Sequence, residues 1–237
     1  MSSLYATQKP DKPSISKHAI IILASGLSQR LGQAKQLLYK DGTPLINYMT
    51  MLALTTNPQA VIVVIPNNNS AIDSEIGELS VQYPVIRTVV NPMPETGMAH
   101  SLYLGIEALV NLTSASFDRV LIMGIDQILL DKPHLTALLA GKQAVVASAY
   151  HNWQDLDEAS SNAALKKDIV GLPLAINYEL LKQWQPALVG DKGLRHLIRG
   201  LPASQISTVI NDQLSYDIDT PQQLDYTKQR EWLDKSP

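Results

Sequence analysis

The clearest hydrophobic pattern in the chain is the run His18-Ala-Ile-Ile-Ile-Leu-Ala24. It shows no polar alternation, so both faces of the element must be covered. Such a run, ending in a glycine-bearing loop, predicts a buried strand of a parallel sheet. Thr43-Pro44 then predicts a helix start, with Thr as N-cap and Pro at the first helical position, running through Met49 to about Leu54. Ala60 to Ile65 is the next apolar strand, closed by Pro66 and three Asn. Asp73 to Leu79 reads as helix, Val85 to Val90 as strand and Met98 to Val110 as helix. Arg119 to Ile125 is a fourth strand, Pro133 to Ala140 a helix and Ala144 to Ala149 a strand. Alternation of this kind predicts an α/β fold: a doubly wound, mostly parallel, Rossmann-like sheet in three α/β/α layers.

The pattern changes after this. His151 to Lys167 is polar, acidic and rich in Ala and Ser, and reads as a surface loop. A short strand follows around Ile169 to Ile176, then helices near Tyr178 to Trp184 and Lys192 to Arg199. A strand near Ile206 to Ile210 and a last helix from Pro221 complete the chain. Met1 to Lys17 lacks an apolar core and reads as a flexible tail. Residues 18–230 are therefore expected to form a single domain.

Composition narrows the possible partners. Of 237 residues, 45% are hydrophobic and 17% charged, enough for a sizeable core. A net charge of −3 argues against a general nucleic-acid binder, which gains affinity through basic excess. The absence of cysteine excludes disulfides, thiol catalysis and Cys-ligated metals, and fits the cytoplasm. No stretch approaches the roughly 18 apolar residues that a bilayer span needs, so no membrane partner is expected.

Candidate chemistry lies mainly at strand ends. Leu23-Ala24-Ser25-Gly26-Leu27-Ser28-Gln29-Arg30-Leu31-Gly32-Gln33-Ala34-Lys35 leaves the first strand directly. Gly26 and Gly32 allow close backbone approach and positive φ, and Arg30 and Lys35 add two cations, a suitable place for a triphosphate. It is neither a Walker A loop nor a dinucleotide fingerprint, since Gln33 follows Gly32. Asp126 follows an apolar strand at the sheet's carboxyl edge, where open α/β folds bind ligands. It is either a Mg²⁺ ligand or a turn cap. In Asp217-Ile218-Asp219-Thr220-Pro221-Gln222-Gln223, helix capping accounts for Thr220, Pro221 and Gln223 but not for Asp219. Asp217 should point to the other face of the extended segment. Gly97 leads into a helix whose first N–H groups can face a ligand, with Ser101 either a hydroxyl contact or an ordinary helix residue. His100 is given no catalytic role.

The loop Leu23–Lys35 resembles the Leu-Ala-Ala-Gly-x-Ser-x-Arg-Met-Gly-x-x-Lys opening of the MobA-like nucleotidyltransferases. Gly97-Met98-Ala99-His100-Ser101-Leu102, Met123-Gly124-Ile125-Asp126-Gln127, Gly171-Leu172-Pro173, Gly190-Asp191-Lys192-Gly193 and Asp217-Ile218-Asp219-Thr220-Pro221 match later family segments in order. Within the family the resemblance is closest to the molybdenum cofactor cytidylyltransferase (MocA-like) branch. It implies the GT-A-type nucleotidyltransferase version of the fold. It implies nucleotide contacts from Leu23, Ala24, Ser25, Gly26, Arg30, Lys35, Gly97 and Ser101. Catalytic roles fall to Lys35, Arg30 and Asp126, with Mg²⁺ on Asp126 and Asp219. The implied partners are an NTP and a phosphorylated acceptor of molybdopterin type, with contact to a molybdoenzyme or maturation factor. Ala at position 25 goes with CTP and Gly with GTP in the family; Ser is neither. Ala99 replaces a frequent Ser, Ile128 a Pro and Leu172 an Asn, the last two bearing on the acceptor pocket. CTP is the favoured donor. The alternatives are a GTP-using enzyme, a sugar- or lipid-phosphate transferase, and a non-catalytic nucleotide- or cofactor-binding module.

Overall fold

The computed structural model of the chain describes residues 17–67, 69–112, 116–151, 169–189 and 193–235. The predicted tail up to residue 16, the predicted loop from 152 to 167, and residues 190–192 of the Gly-Asp-Lys-Gly segment lie outside them.

The first apolar run forms β1 (His18–Leu23). Around it stand β4 (Ala60–Pro66), β5 (Ile86–Asn91), β6 (Arg119–Gly124), β7 (Val145–Tyr150), β8 (Ile169–Asn177) and β9 (Ile206–Ile210). They make one seven-stranded sheet in the order β5-β4-β1-β6-β8-β7-β9. Only β8 is reversed, running antiparallel to both β6 and β7. β1 lies between β4 and β6 with parallel pairing on each side, so the sheet's order turns there.

Side chains along these strands alternate between two buried faces. Ile20, Ile22, Val61, Val63, Leu121 and Met123 form one core. It is covered by α1 (Leu45–Leu54), α2 (Ser70–Gln82), α4 (Lys132–Ala140) and α7 (Pro221–Gln229). Ala19, Ile21, Ile62, Val64, Val120 and Ile122 form the other, beneath α3 (Met98–Val110), α5 (Tyr178–Trp184) and α6 (Arg195–Arg199). Both faces are sealed, which is why β1 and β4 read as unbroken apolar runs. Each fully buried Ile or Leu contributes on the order of 1.5–3 kcal/mol. α3 packs closely on β1 because Gly105 has no side chain; a Cβ there would stand 2.8 Å from Ile21 Cγ2.

One predicted element start is corrected. Thr43-Pro44 does not open a helix. Tyr39–Lys40 (β2) pairs antiparallel with Thr43–Pro44 (β3) across Asp41-Gly42, whose φ values are +52° and +73°. Two positive φ values favour an Asp-Gly hairpin turn. α1 begins one residue later, and no side chain caps it.

Candidate active site at the sheet's carboxyl edge

Leu23, the last residue of β1, pairs with Gly124, the last residue of β6. The loops that follow these strands therefore leave the sheet side by side, at the place where its order turns. Open α/β sheets bind ligands in such a crevice. The two loops help line a cavity of about 270 Å³, bordered by Leu23, Ala24, Ser25, Gly26, Lys35 and Asp126. Gly97 and Ser101 border it from α3.

One wall of this cavity is ionic. Lys35 Nζ donates to Asp126 Oδ2 at 3.2 Å and to Asp219 Oδ1 at 2.9 Å. Arg30 donates to Asp219 Oδ2 at 2.7 Å. The Lys35 side chain is 11% exposed, against 34% and 30% for the two carboxylates. Residues from opposite ends of the chain thus meet on one ammonium group. Asp126 has room to turn back because Gly124 lacks a Cβ, which would stand 2.8 Å from its Oδ1. Asp219 is fixed by the start of α7. Gln223 Oε1 accepts from the N–H groups of Asp219 and Thr220, and the Thr220 hydroxyl accepts from the Gln223 N–H in a full capping box.

These contacts tune charge. Burial alone would lower the Lys35 pKa, but the charges and hydrogen bonds of Asp126 and Asp219 more than offset it, and the ammonium is held above its ordinary 10.5. Asp219 resists desolvation for the matching reason: Lys35 and Arg30 hold it below its ordinary 3.8. Asp217 is pushed upward, first by partial desolvation and then by Asp126 and Asp219. Its carboxylate therefore lies close enough to feel the same acidic pair, which corrects the expectation that Asp217 faces away from Asp219: residues two apart in an extended segment share a face.

The other wall is neutral and buried. Ser25 Oγ and Ser101 Oγ are 2.6 Å apart, and Asn91 Nδ2 donates to Ser101 Oγ at 3.0 Å. Gly97, which starts α3, has φ +95°, a conformation that favours glycine. In the β1 loop, positive φ falls at Ser28 and Gly32 rather than at Gly26.

Sequence patterns missed four residues that shape these walls. Gln36 donates to the carbonyls of Ala24 (2.7 Å) and Gly26 (2.9 Å), latching the loop from beneath. Asn91 is a buried amide at the end of β5. Gly124 makes space for Asp126. Gln127 donates to the Leu172 carbonyl at 2.7 Å. A polar residue ending an apolar strand at the carboxyl edge was the available signal for Asn91. Ile128 is fully buried in the same core cluster as residues of α1, α2 and α4 and does not border the cavity. Leu172 does line the cavity, and also an adjoining one of about 490 Å³.

A profile of the MobA-like NTP transferase domain matches residues 20–208. The chain belongs to the MobA-like NTP transferase family. It is accordingly a nucleotidyltransferase enzyme of a family that uses an NTP and a small-molecule acceptor. No curated protein matches it in sequence. Among solved structures, a nucleotidyl transferase from Methanothermobacter thermautotroptrophicus shares the fold at 18% identity and TM-score 0.67, covering 91% of this chain and 97% of that one. The 4-diphosphocytidyl-2C-methyl-D-erythritol synthase of Anaerococcus prevotii does so at 14% identity and TM-score 0.66, covering 91% and 96%. A manganese complex of Rv0371c from Mycobacterium tuberculosis is similar at 18% identity and TM-score 0.63, covering 89% and 97%. No helix among the described residues of this MobA-like chain is long and apolar enough to cross a membrane.

A divalent cation can be tested against this donor set. Asp126 and Asp219 offer hard oxygen ligands and converge on one point. The two cations of the ionic wall are already paired with them, so a triphosphate needs further positive charge. Among the described residues no cluster of three His, Asp or Glu closes a cage of its own. One or two carboxylates completed by substrate phosphates suit a hard divalent cation, and these residues fit such an ion.

Proposed function

We propose that residues 18–230 act as one nucleotidyltransferase domain that moves the nucleoside monophosphate of an NTP, CTP by preference, onto a phosphorylated acceptor of molybdopterin type. The convergence of Asp126 and Asp219 on Lys35 carries this reading. Asp126 and Asp219 would hold Mg²⁺, which when bound would supply positive charge against the phosphates. The manganese complex of the mycobacterial neighbour supports a divalent ion in this fold. The MocA-like motifs support the acceptor, and with it a contact to a molybdoenzyme or maturation factor.

Within that site, Lys35 is protonated at any physiological pH and neutralises the α-phosphate. Arg30 and the amides of the β1 loop bind the leaving pyrophosphate. Leu23, Ala24, Ser25, Gly26, Gly97 and Ser101 hold base and ribose. An oxygen of the acceptor phosphate forms the new bond to the α-phosphorus, and the bond from that phosphorus to the bridging oxygen of the β-phosphate breaks. Because a phosphate nucleophile is already ionised, no general base is required.

The test is pyrophosphate release from each of the four NTPs with magnesium, offered molybdopterin-type and sugar-phosphate acceptors in turn. CTP with the molybdopterin-type acceptor should give the highest rate. A GTP preference would make it a guanylyltransferase. Tight NTP binding with no pyrophosphate from any acceptor would leave only a binding module.

A further inference from the structure

We infer that Asn91 is a positioning residue that, through Ser101, fixes the Ser25 hydroxyl as a hydrogen-bond donor toward the nucleotide base and so sets which bases are accepted. This rests on the proposed nucleotide role of the cavity.

The polarity of the chain of contacts can be followed atom by atom. Asn91 Oδ1 accepts from the backbone N–H of Met93 at 2.9 Å. A backbone N–H can only donate, so this bond settles which end of the amide is oxygen. The Asn91 NH₂ group must then face Ser101, and it donates to Ser101 Oγ at 3.0 Å. Ser101 has one hydrogen left to give. The carbonyl of Gly97 lies 3.5 Å away, at the outer limit of a hydrogen bond, whereas Ser25 Oγ lies at 2.6 Å. Either hydroxyl of the Ser25–Ser101 pair can donate, and Ser101 is assigned as the donor because its other acceptor, the Gly97 carbonyl, is the more distant. Ser25 then accepts from Ser101, and its own hydrogen is free to be donated into the cavity that both serines line. All three side chains are buried, so water cannot easily exchange the roles. Ser25 stands at the position where the family has Ala or Gly, neither of which can donate.

A donor fixed in this way discriminates between bases of equal size. Cytosine and uracil carry inverted donor and acceptor patterns on the edge that pairs in a duplex, and so do guanine and adenine. Presenting a donor to a donor leaves buried groups unpaired. Such a mismatch typically costs about 1–3 kcal/mol, which corresponds to roughly five- to 150-fold in affinity.

Replacing Asn91 by Asp keeps the shape and reverses the chain. A carboxylate accepts from Ser101, Ser101 accepts from Ser25, and Ser25 offers only lone pairs. The experiment measures dissociation constants of CTP, UTP, GTP and ATP with magnesium at pH 8.5, for wild type, Asn91→Asp, Ser25→Ala and the double variant. No acceptor or turnover is needed. The ratio of CTP to UTP affinity, or of GTP to ATP if purines bind better, should change about fivefold or more in Asn91→Asp. The change should fade at lower pH as the new carboxyl regains a proton and donates again. In the Ser25→Ala background the Asn91 substitution should leave the ratio alone. If Asn91→Asp does not fold, Ser101→Ala replaces it, and discrimination should fall toward equal affinity. An unchanged ratio, or the same change with and without Ser25, overturns the inference. Failure of the wild type to bind any NTP overturns it together with the nucleotide reading of the cavity, whereas binding with an unaltered ratio overturns this inference alone.

Discussion

The two walls of the cavity are built on opposite principles. The ionic wall places Lys35 between Asp126 and Asp219 and leaves both carboxylates about one-third exposed. The neutral wall buries Ser25, Ser101 and Asn91 in a chain of hydrogen bonds. Partly solvated ion pairs contribute little to stability, typically about 0–1 kcal/mol each. Buried hydrogen bonds resist disruption more strongly, because a group left unpaired costs about 1–3 kcal/mol. The ionic wall is thus suited to exchange its partners for phosphates and metal, and the neutral wall to hold a fixed pattern. Substitutions on the two walls should leave different signatures.

The largest expected effect is on the ionic wall. Lys35→Ala or Asp126→Ala should reduce turnover by ~10²–10³, the usual loss for one such electrostatic contact. Thermal denaturation of the same samples should show almost no shift. Pyrophosphate release at saturating NTP and magnesium measures the first quantity. Nearly full turnover in a pure Asp126→Ala sample would remove this carboxylate from the metal site.

The neutral wall should respond in stability as well. Gly97→Ala forces a side chain onto φ +95°, at the start of the helix that carries Ser101. Strain of this kind costs of order 1–3 kcal/mol, and denaturant unfolding should show that loss. NTP affinity should fall in parallel, because Ser101 moves with the helix start. An unchanged unfolding midpoint would show that the helix entrance can relax, and that the wall is less rigid than its hydrogen bonds suggest.

The same contrast governs what sequence could reveal. Three members of the ionic wall stood out because each closes or follows a recognisable element: Asp126 after β6, Asp219 before a Thr-Pro helix start, Lys35 at the end of a glycine loop; that they form one site came from the family resemblance. The neutral wall was largely hidden. Its far end, Asn91, sits on another strand, and only the packing of α3 over β1 and β5 brings the three together. The positions of the seven strands of the main sheet were legible, since hydrophobic runs report burial. The reversal of β8 was not, because periodicity reports which faces are covered and carries no direction. The β2–β3 hairpin was missed for a different reason. Its Asp41-Gly42 signal was present, but strands of two residues are too short to show alternation, so Thr43-Pro44 took the helix reading.

The smallest expected effect separates the walls by pH. Lys35 titrates above its ordinary 10.5, so its contribution is complete below that value and is lost only as pH rises through the higher folded value. Asp219 titrates below its ordinary 3.8, so its contribution is present above that value and is lost only as pH falls through the lower folded one. These two members of the ionic wall therefore contribute no pH dependence between about pH 5 and 9. A buried neutral network elsewhere behaves differently. Ser148 donates to the Pro173 carbonyl at 2.6 Å and so accepts from His134 Nε2 at 2.8 Å. Burial holds His134 below its ordinary 6.5, against the opposing pull of Asp131. As pH falls below 6.5 the unfolded chain takes up this proton first, and stability declines until the folded imidazole protonates too. Chemical denaturation from pH 7.5 to 5 should show a small downward slope in wild type. His134→Gln, which cannot titrate, should flatten it while leaving NTP affinity at pH 7.5 unchanged. An equal slope in the variant would assign the pH dependence to other groups and leave the buried imidazole without influence on it.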